Sequence, residues 1–392
     1  MSVQKKQIRS LTVIDLFSGA GGFSLAALNS GLHVLAAIEF DNAAAETYQK
    51  NIVEKYSPNT KLLPFDILEI NPKDFRESLD LEKGHLDMLI GGPPCQGFST
   101  HRINGKGIDD PRNKLLLRYF DFVKELKPKI FLVENVPGLL WKRHEKYLKQ
   151  FNELAEENGY QIFKPIKVNA KDYGVPQNRD RVFILGVSKS IDIRHLTWPP
   201  HPTHFSPTEG GQTWLSSSVV FEKPPEPTFK KLKQILGKEK VNSLVFGQPT
   251  LGIDLDPSAL HMTHTQDLLE RIQITPINGS REDIAFRLPC HSNAYKGHKD
   301  VYGRIRLAQP GPTITTGCFN PSKGRFLHPW LNHGITIRHA ARLQTFPDDF
   351  VFTNGITSQG KQVGNAVPVK LGEQLITTLR NFLVDSNKLQ IK

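Results

Sequence analysis

The stretch LTVIDLFSGAGGFS, residues 11–24, joins an apolar run to a glycine cluster and then to a helix-like segment. Leu11–Leu16 is typical of a buried strand, and residues 23–29 are predicted to form a helix. Glycines at a strand-to-helix turn let the backbone approach a ligand closely, and a helix start offers unpaired N–H groups. The pattern GxGG is not that of a P-loop, and it also fits a plain tight turn.

The same alternation continues through the first half of the chain. Apolar runs predict strands, and segments of helical periodicity predict helices between them. This order indicates an α/β fold with a doubly wound, mostly parallel sheet. The predicted strands are 33–38, 87–90, 130–133 and 182–187, and the predicted helices are 42–55 and 114–126.

Composition narrows the class of protein. The 392 residues include 50 Lys and Arg against 39 Asp and Glu, and this net charge of +11 favours a polyanionic partner. The three cysteines are far apart and form no C-x-x-C pair, so neither a disulfide framework nor a cysteine-rich zinc site is expected. We expect no metal site.

Without a signal peptide or a long apolar segment, we expect a cytoplasmic chain that does not enter a membrane.

The pattern of strands and helices stops near Ser188. Residues 190–330 are rich in Pro, Gly, His and Thr, and between Ile284 and His333 seven Lys or Arg face a single acid, Asp300. We predict three parts: an α/β domain at 1–189, a smaller, irregular β-rich domain at 190–330, and a segment at 331–392 that returns to the first domain.

Acidic residues follow two of the early strands. The second strand ends at Glu39, where an acid commonly binds the hydroxyls of a ribose. Asp66 and Ile67 follow the apolar residues 62–65 and place an acid beside an aliphatic side chain at the same edge. Together these residues predict an adenosine pocket, although Asp66 alone could be a turn or helix-cap residue.

The stretch LIGGPPCQGFS, residues 89–99, places a cysteine directly after a strand. Pro93 and Pro94 remove two N–H donors and restrict φ, so Cys95 lies in a stiff, non-helical turn. The glycines around it allow a planar ligand to come close. A lone cysteine is more often structural, but this context makes Cys95 a candidate nucleophile.

Two further motifs complete the predicted reaction site. Glu134 ends the strand 130–133, so its carboxyl group faces the same crevice as the thiol and could donate a proton. Arg179 and Arg181 lie two apart on an extended segment and therefore point to one side. Arginine can bind a carbonyl oxygen or a phosphate, although strand-edge salt bridges are the simpler interpretation.

These motifs resemble those of the DNA (cytosine-5)-methyltransferases of bacterial restriction-modification systems. The resemblance covers almost the whole chain, with the motifs in the family's order. They are DLFSGAGGFS with Glu39, GGPPCQGFS, Glu134-Asn-Val136, QNRDRVF (177–183), ARLQTFP (341–347) and QVGNAVP (362–368).

The resemblance implies a reaction and a set of residues. Cys95 would attack carbon 6 of a cytosine flipped out of the duplex, Glu134 would contact ring nitrogen N3, and the methyl group of S-adenosyl-L-methionine would pass to carbon 5. Arg181 would hold the base and Arg179 the nearby backbone. The cofactor would be bound by Phe17, Ser18, Gly19, Gly21, Glu39, Phe40, Asp66, Ile67, Pro93, Leu115, Asn365 and Ala366.

The resemblance implies that 1–189 is the catalytic and cofactor-binding domain and 190–330 the target-recognition domain. The implied partner is double-stranded DNA, and residues 100–113 match a loop that closes over the DNA. A monomer is expected, and a cognate restriction endonuclease would share the target sequence without binding the protein. The candidate DNA contacts are Ser99, Arg102, Tyr302, Arg304, Arg306, Thr313, Thr315, Lys323 and Arg325.

Other interpretations remain open or are disfavoured. A tRNA-modifying member of the same family and a DNA-binding relative without turnover stay open, although Cys95 and Glu134 are both present. A zinc deaminase needs a second cysteine three residues after the first, where this chain has Phe98. Amino-group methyltransferases need no thiol nucleophile, and the order of the motifs disfavours them. A nicotinamide-dependent oxidoreductase is disfavoured because nothing after Glu39 resembles a hydride-transfer site.

Overall fold

The computed structural model describes residues 10–94, 114–284 and 299–389. They divide into two compact units, which are described separately. Unit 1 draws on Met1–Val168, Asp180–His201 and Gly372–Lys392, and unit 2 on Asn169–Arg179 and Pro202–Leu371. The predicted boundaries at residues 189 and 330 differ from those of the compact units, because residues 169–179 and 331–371 belong to unit 2 and residues 190–201 to unit 1. As a division of function they stay a prediction.

Unit 1 is built on an eight-stranded sheet in the order β3-β2-β1-β4-β5-β8-β6, with β7 beside β8. The order reverses between β1 and β4, as in doubly wound sheets. The strands are β1 (Thr12–Leu16), β2 (His33–Ile38), β3 (Lys61–Leu63), β4 (Met88–Gly91), β5 (Ile130–Asn135), β6 (Tyr160–Ile162), β7 (Ile166–Asn169) and β8 (Asp180–Ser188).

The sheet is mixed and, as predicted, mostly parallel. The pairs β1–β2, β2–β3, β1–β4 and β4–β5 are parallel, whereas β8 runs antiparallel to both β5 and β6. A parallel pair needs a crossover connection, usually a helix, and no α-helix lies between β6 and β8. The short strands β3, β6 and β7 were not predicted.

Helices connect the strands and continue into unit 2. The predicted helix at 42–55 is an α-helix that continues as a π-helix, Gln49–Tyr56. The α-helices are α1 (Gly22–Asn29), α2 (Asn42–Tyr48), α3 (Pro72–Glu77), α4 (Lys114–Leu126), α5 (Glu145–Glu157), α6 (Glu226–Leu236), α7 (Lys238–Asn242), α8 (Gln266–Ile274), α9 (Ile337–Leu343), α10 (Ile356–Asn365) and α11 (Val369–Leu389).

The prediction that residues 190–330 are β-rich is wrong for the residues described there. That region contains helices α6, α7 and α8, and its β-pairing is limited to isolated bridges such as Phe205 with Thr213 and Arg304 with Leu327. Its many prolines explain this, because proline lacks the N–H group that a strand ladder needs.

Aromatic side chains fill the core of unit 1 between β5 and its covering helices. Phe131 on β5 makes edge-to-face contacts with Phe120, Phe151 and Tyr160, at ring-centroid distances of 6.2, 5.8 and 5.1 Å. All four side chains are buried. Edge-to-face pairs add to the free energy gained by burial, so this cluster holds β5, and with it Glu134, in place.

The last helix packs on the first helix of the sheet. A Cβ atom at Gly372 would lie 2.7 Å from Ala26, and Asn29 Nδ2 donates to Glu373 Oε1 at 2.5 Å. The segment predicted to return to the catalytic domain does so from Gly372 onward, whereas residues 331–371 belong to unit 2.

In the described part of the chain, the structure contains no helix with the length and hydrophobicity needed to span a bilayer.

Close packing at Gly186 provides a test of the sheet. A Cβ atom there would lie 2.2 Å from Phe131 Cζ, so Gly186→Ala must displace a buried ring. We expect the free energy of unfolding to fall by about 2 kcal/mol or more. Gly252→Ala is the control, because a Cβ atom there would have no neighbour within 4 Å and φ is not positive. Urea unfolding of both variants measures the difference, and equal stabilities would contradict this packing.

Candidate active site

The site is built at the carboxyl ends of parallel strands. Strands β1, β2, β4 and β5 end at or next to the predicted residues Phe17, Glu39, Gly92 and Glu134. Parallel strands end at the same edge of a sheet, so these residues share one crevice of unit 1. The sequence-based placement of the motifs along this edge agrees with the structure.

The glycine-rich loop after β1 has a left-handed backbone. Phe17, Gly19 and Gly21 have φ angles of 59°, 56° and 98°. The loop is tied to β2, since Gly19 N donates to Glu39 Oε2 at 2.7 Å and Asp41 N donates to Glu39 Oε1 at 2.7 Å. Glu39 is thereby oriented, and each carboxylate oxygen can still accept a second hydrogen bond.

Behind this loop lies a buried polar chain. Tyr48 Oη donates to Ser24 Oγ at 2.8 Å, and Ser24 Oγ donates to Asp15 Oδ2 at 2.7 Å. Asp15 is completely buried at the end of β1. Burial raises its pKa to about 7, the hydrogen bond from Ser24 opposes the rise, and nearby Glu39 adds to it.

An open cleft of about 510 Å³ follows Glu39, and two predicted cofactor residues, Phe40 and Asp66, border it. Phe40 is 70% exposed and Phe65 56% exposed, which is unusual for large apolar rings. Asp66, also on the cleft, accepts a hydrogen bond from Leu68 N at 2.9 Å, which orients its carboxylate. Of the predicted neighbours, Ile67 and Leu115 instead contribute to the hydrophobic core.

The predicted proton donor and one predicted arginine form an ion pair. Arg181 Nε lies 2.8 Å from Glu134 Oε1, and both side chains are largely buried. The other oxygen, Oε2, faces Gly92, where a Cβ atom would lie only 3.0 Å away. Glu134 therefore extends along the backbone that leads to Cys95.

The next residue holds that backbone. Asn135 Nδ2 donates to Pro93 O at 3.3 Å, and Asn135 Oδ1 accepts from Val136 N at 2.8 Å. The amide bridges the ends of β4 and β5. Pro93 is buried, and the described chain reaches Pro94. Cys95, Ser99 and Arg102 lie outside the described residues, so their predicted roles remain predictions.

In unit 2, three predicted motifs meet in a buried polar clamp. Arg179 donates to the carbonyl oxygens of Ile314, Gly364 and Ala366 at 2.5, 2.8 and 3.1 Å. Gln344 Nε2 donates to Ala366 O at 3.1 Å. Arg179 and Gln344 are fully buried. Arg179 was predicted to hold the backbone near the base, and its contacts hold the GNAV segment of unit 2.

Gln177 joins this clamp. Its Nε2 donates to Gln344 Oε1 at 2.9 Å, and its Oε1 accepts from Ile314 N at 2.8 Å. Asn365 and Ala366 end helix α10 inside unit 2, at the backbone that the clamp fixes. Their contact with the cofactor stays a prediction.

Three of the predicted DNA contacts are wrong, because the side chains are buried. Arg304 is 3% exposed and donates to carbonyls including Thr275 O and Ile272 O, both at 2.8 Å. Arg325 is 7% exposed and pairs with Asp300 at 2.6 Å. Tyr302 is also buried, under the guanidinium of Arg271. These side chains organise unit 2 and do not present themselves to DNA.

The other predicted contacts in unit 2 remain accessible. Arg306 and Lys323 are exposed, and Thr315 is partly buried. Thr313 Oγ1 donates to Asn178 O at 2.6 Å, next to the polar clamp. Their roles at DNA stay predictions.

A cluster of two histidines and one acid stands out in the described part of unit 2. The possible ligand atoms of Glu222, His328 and His339 lie within 4.8 Å of one another. However, His328 Nδ1 accepts from Leu331 N at 3.1 Å, and His339 Nδ1 accepts from Thr336 N at 3.3 Å. An accepting nitrogen carries no proton, so each neutral ring directs an Nε2–H group, not a lone pair, toward Glu222. We assign this cluster a structural role. The expected absence of a metal site stays a prediction.

Sequence reasoning missed the supporting residues Asp15, Asn135, Gln177 and Gln344. Each lies inside a motif that was recognised, but without an assigned role. The sequence feature that could have identified them is a polar side chain directly at the end of an apolar run, where burial requires a hydrogen-bond partner.

Comparison with known proteins gives the family. Residues 11–381 match the family model of C-5 cytosine-specific DNA methylases. Type II methyltransferase M1.HphI of Haemophilus parahaemolyticus is 32% identical, over 93% of this chain and 86% of that protein. Type II methyltransferase M.DdeI of Desulfomicrobium norvegicum is 31% identical, over 96% and 92%. A DNA modification methyltransferase encoded within a prophage (E. coli) superposes with a TM-score of 0.68 and 26% identity, over 96% of this chain and 100% of that chain.

The doubly wound sheet and the acidic and basic side chains at its carboxyl edge are those of a methyltransferase. The chain belongs to the C-5 cytosine-specific DNA methylase family and is a DNA (cytosine-5-)-methyltransferase of the Type II restriction-modification kind. The resemblance inferred from its motifs is confirmed.

The buried Asp15 predicts a pH effect on stability. Its pKa is about 7 in the folded chain and near 3.8 in the unfolded chain, so the folded state retains a proton that the unfolded state loses. The stability this contributes is present below pH 4 and is lost as the pH rises toward 7. Relative to Asp15→Asn, the wild type should lose roughly 2–3 kcal/mol between pH 5 and pH 8. Urea unfolding across this range tests it, and parallel profiles for the two proteins would disprove the assignment.

Proposed function

We propose that this protein transfers the methyl group of S-adenosyl-L-methionine to carbon 5 of a flipped-out cytosine in a specific short DNA sequence. The reaction proceeds through a covalent adduct with Cys95. The modification protects DNA from a cognate restriction endonuclease that shares the target. The observation that carries the proposal is the Glu134–Arg181 pair beside Gly92, on the backbone leading to Cys95.

The residues present fit the cofactor. Two exposed aromatic rings, Phe40 and Phe65, border the cleft and offer apolar faces to a purine. Glu39 lies at the end of β2, where an acid binds ribose hydroxyls, and the Gly19–Gly21 loop leaves backbone close to the ligand. S-adenosyl-L-methionine supplies an electrophilic methyl group when bound. Asp66, on the same cleft, completes the proposed site in unit 1.

The chain's own groups activate the cytosine. The Cys95 thiolate adds to carbon 6, which makes carbon 5 electron-rich. Glu134, in its protonated form, donates a hydrogen bond to ring nitrogen N3 from the oxygen that faces Gly92. Transfer of this proton to N3 neutralises the negative charge that the addition of Cys95 places on the ring. After methylation, loss of the carbon-5 proton and departure of Cys95 restore aromaticity.

Arg181 acts in this scheme by orienting Glu134 and the base. Its Nε is used by Glu134 Oε1, and its Nη1 donates to Asp180 O at 2.7 Å. A guanidinium fixed in this way is placed to meet the carbonyl oxygen of a cytosine held by Glu134. Base flipping is required because a stacked base cannot meet either group.

Replacement of the nucleophile tests the mechanism. Cys95→Ala should abolish methyl transfer while cofactor affinity stays within about twofold, because the thiol acts on the base and not on the cofactor. Bisulfite sequencing of plasmid incubated with S-adenosyl-L-methionine reports activity, product and target together. Protection of cytosines at one short sequence by the wild type alone is the expected result. Unprotected DNA together with methylated tRNA would redirect the proposal to RNA, and turnover by the variant would remove Cys95 as nucleophile.

The Glu134 contact predicts a separable defect. Glu134→Gln keeps the shape, but its amide cannot give a proton to N3, so kcat should fall by about 10²–10³-fold. Affinity for S-adenosyl-L-methionine should be unchanged. Single-turnover methylation of a short duplex measures the effect, with Glu145→Gln, an exposed acid on α5, as the control. Equal rates for wild type and Glu134→Gln would refute this role.

We further propose that the enzyme works as a monomer in the cytoplasm, since one chain carries every motif. Sedimentation over a hundredfold range of concentration should give a constant coefficient. A concentration-dependent coefficient would argue for self-association.

A further inference from the structure

The turn that follows β5 carries an exposed apolar and basic surface that the proposed site does not use. We call it the 140–143 turn, after Leu140, Trp141, Lys142 and Arg143. Leu140 is 41% exposed and Trp141 37% exposed, and both basic residues are exposed. Among the described residues, the ion pairs of unit 1 involve neither Lys142 nor Arg143.

This turn is rigid although it lies on the surface. Leu139, just before it, is completely buried in the core of unit 1. Trp141 N donates to Gly138 O at 3.1 Å, and His144 N donates to Trp141 O at 2.8 Å. His144, just after it, is also completely buried. The exposed side chains are therefore presented by a backbone anchored on both sides.

Arg143 is held in place by two neighbours. Its guanidinium carbon lies 4.5 Å from the centre of the Trp141 ring, and its Nε donates to His144 Nε2 at 2.9 Å. Burial, helped by Arg143, lowers the pKa of His144 to about 4, so the ring remains an acceptor at neutral pH. With Nε used internally, the two Nη atoms carry the remaining N–H donors, the pair that forms a fork on phosphate.

The turn lies close in the chain to the end of β5, where the reacting base is proposed to bind. Trp141 lies six positions after Asn135, whose amide donates to Pro93 O, so the two Cα atoms lie at most about 21 Å apart. The intervening Pro137–Leu140 segment is a 3₁₀ turn, which shortens the distance further. Successive phosphates of one DNA strand are close enough that several lie within that reach.

We propose that the 140–143 turn is a DNA-contact surface of the catalytic unit, which binds the sugar-phosphate backbone beside the flipped cytosine. Arg143 and Lys142 contact phosphates, and the Trp141 ring packs against the deoxyribose of the same strand. Basic residues interleaved with an exposed aromatic ring match the chemistry of a nucleic-acid backbone. This inference rests on the proposed function, because it takes the base at Cys95 and Glu134 as the reference point.

The test compares DNA affinity among single variants of the full chain. Arg143→Ala and Trp141→Ala should each raise the Kd for a duplex containing the target site by about 5–30-fold. The KM for DNA should rise in parallel, with the KM for S-adenosyl-L-methionine unchanged. Arg143→Ala should also reduce the slope of log Kd against log salt by about one, as expected for one lost phosphate contact. Trp141→Phe should retain most of the affinity.

Lys83→Ala is the matched control. It removes one exposed positive charge at the amino-terminal edge of the sheet, where Lys83 pairs with Glu125 at 3.3 Å. Its affinity and salt slope should equal those of the wild type. Thermal unfolding of every variant checks that the fold is kept.

Each outcome has a separate meaning. If the wild type methylates DNA but Arg143→Ala and Trp141→Ala bind it with unchanged Kd and salt slope, the proposed surface is wrong while the proposed function stands. If Lys83→Ala weakens binding equally, the effect is one of net charge, and the surface is again wrong. If the wild type fails to methylate DNA, the proposed function itself fails. Tighter binding of structured RNA than of duplex DNA would assign the turn to an RNA substrate.

Discussion

The site depends on the close approach of β4 to β1. A Cβ atom at Gly91 would lie 2.5 Å from Leu16 O and 2.9 Å from the Tyr119 ring, so only glycine lets the two strands and helix α4 pack as they do. Tyr119 Oη in turn donates to Leu89 O at 2.8 Å and ties the helix to the strand. Because β4 runs between β1 and β5, this packing aligns the glycine-rich loop, the Pro-Pro turn and Glu134 along one edge.

Two arginines two residues apart serve different purposes. Arg181 pairs with Glu134 across the antiparallel strands β5 and β8 in unit 1, while Arg179 binds three backbone carbonyls in unit 2. A fully buried guanidinium is costly unless its donors are satisfied, so the clamp of Arg179, Gln177 and Gln344 forms a specific polar core. It fixes the backbone around Asn365, at the end of helix α10.

The basic content of unit 2 illustrates how charge counting can mislead. The excess of Lys and Arg between Ile284 and His333 favoured DNA contact for Arg304 and Arg325, yet the structure buries both among carbonyls and an acid. In contrast, no sequence motif marked Trp141 or Arg143 as a candidate DNA contact. They stand out only because the surrounding turn is anchored and their side chains remain exposed.

The sequence by itself determined the α/β class and the strands that carry the site, and it marked Glu39, Cys95, Glu134 and Arg181 as candidate site residues. These follow from local periodicity and from residue types at strand ends, which neighbouring residues specify. Only the tertiary structure decided the antiparallel course of β8, the largely helical and irregular character of residues 202–284, and which charged side chains are buried. The physical reason is that such contacts join residues far apart in the chain, as Arg179 and Ala366 are, 187 positions from each other. No local pattern records which of many equivalent partners a side chain will meet once the backbone has folded.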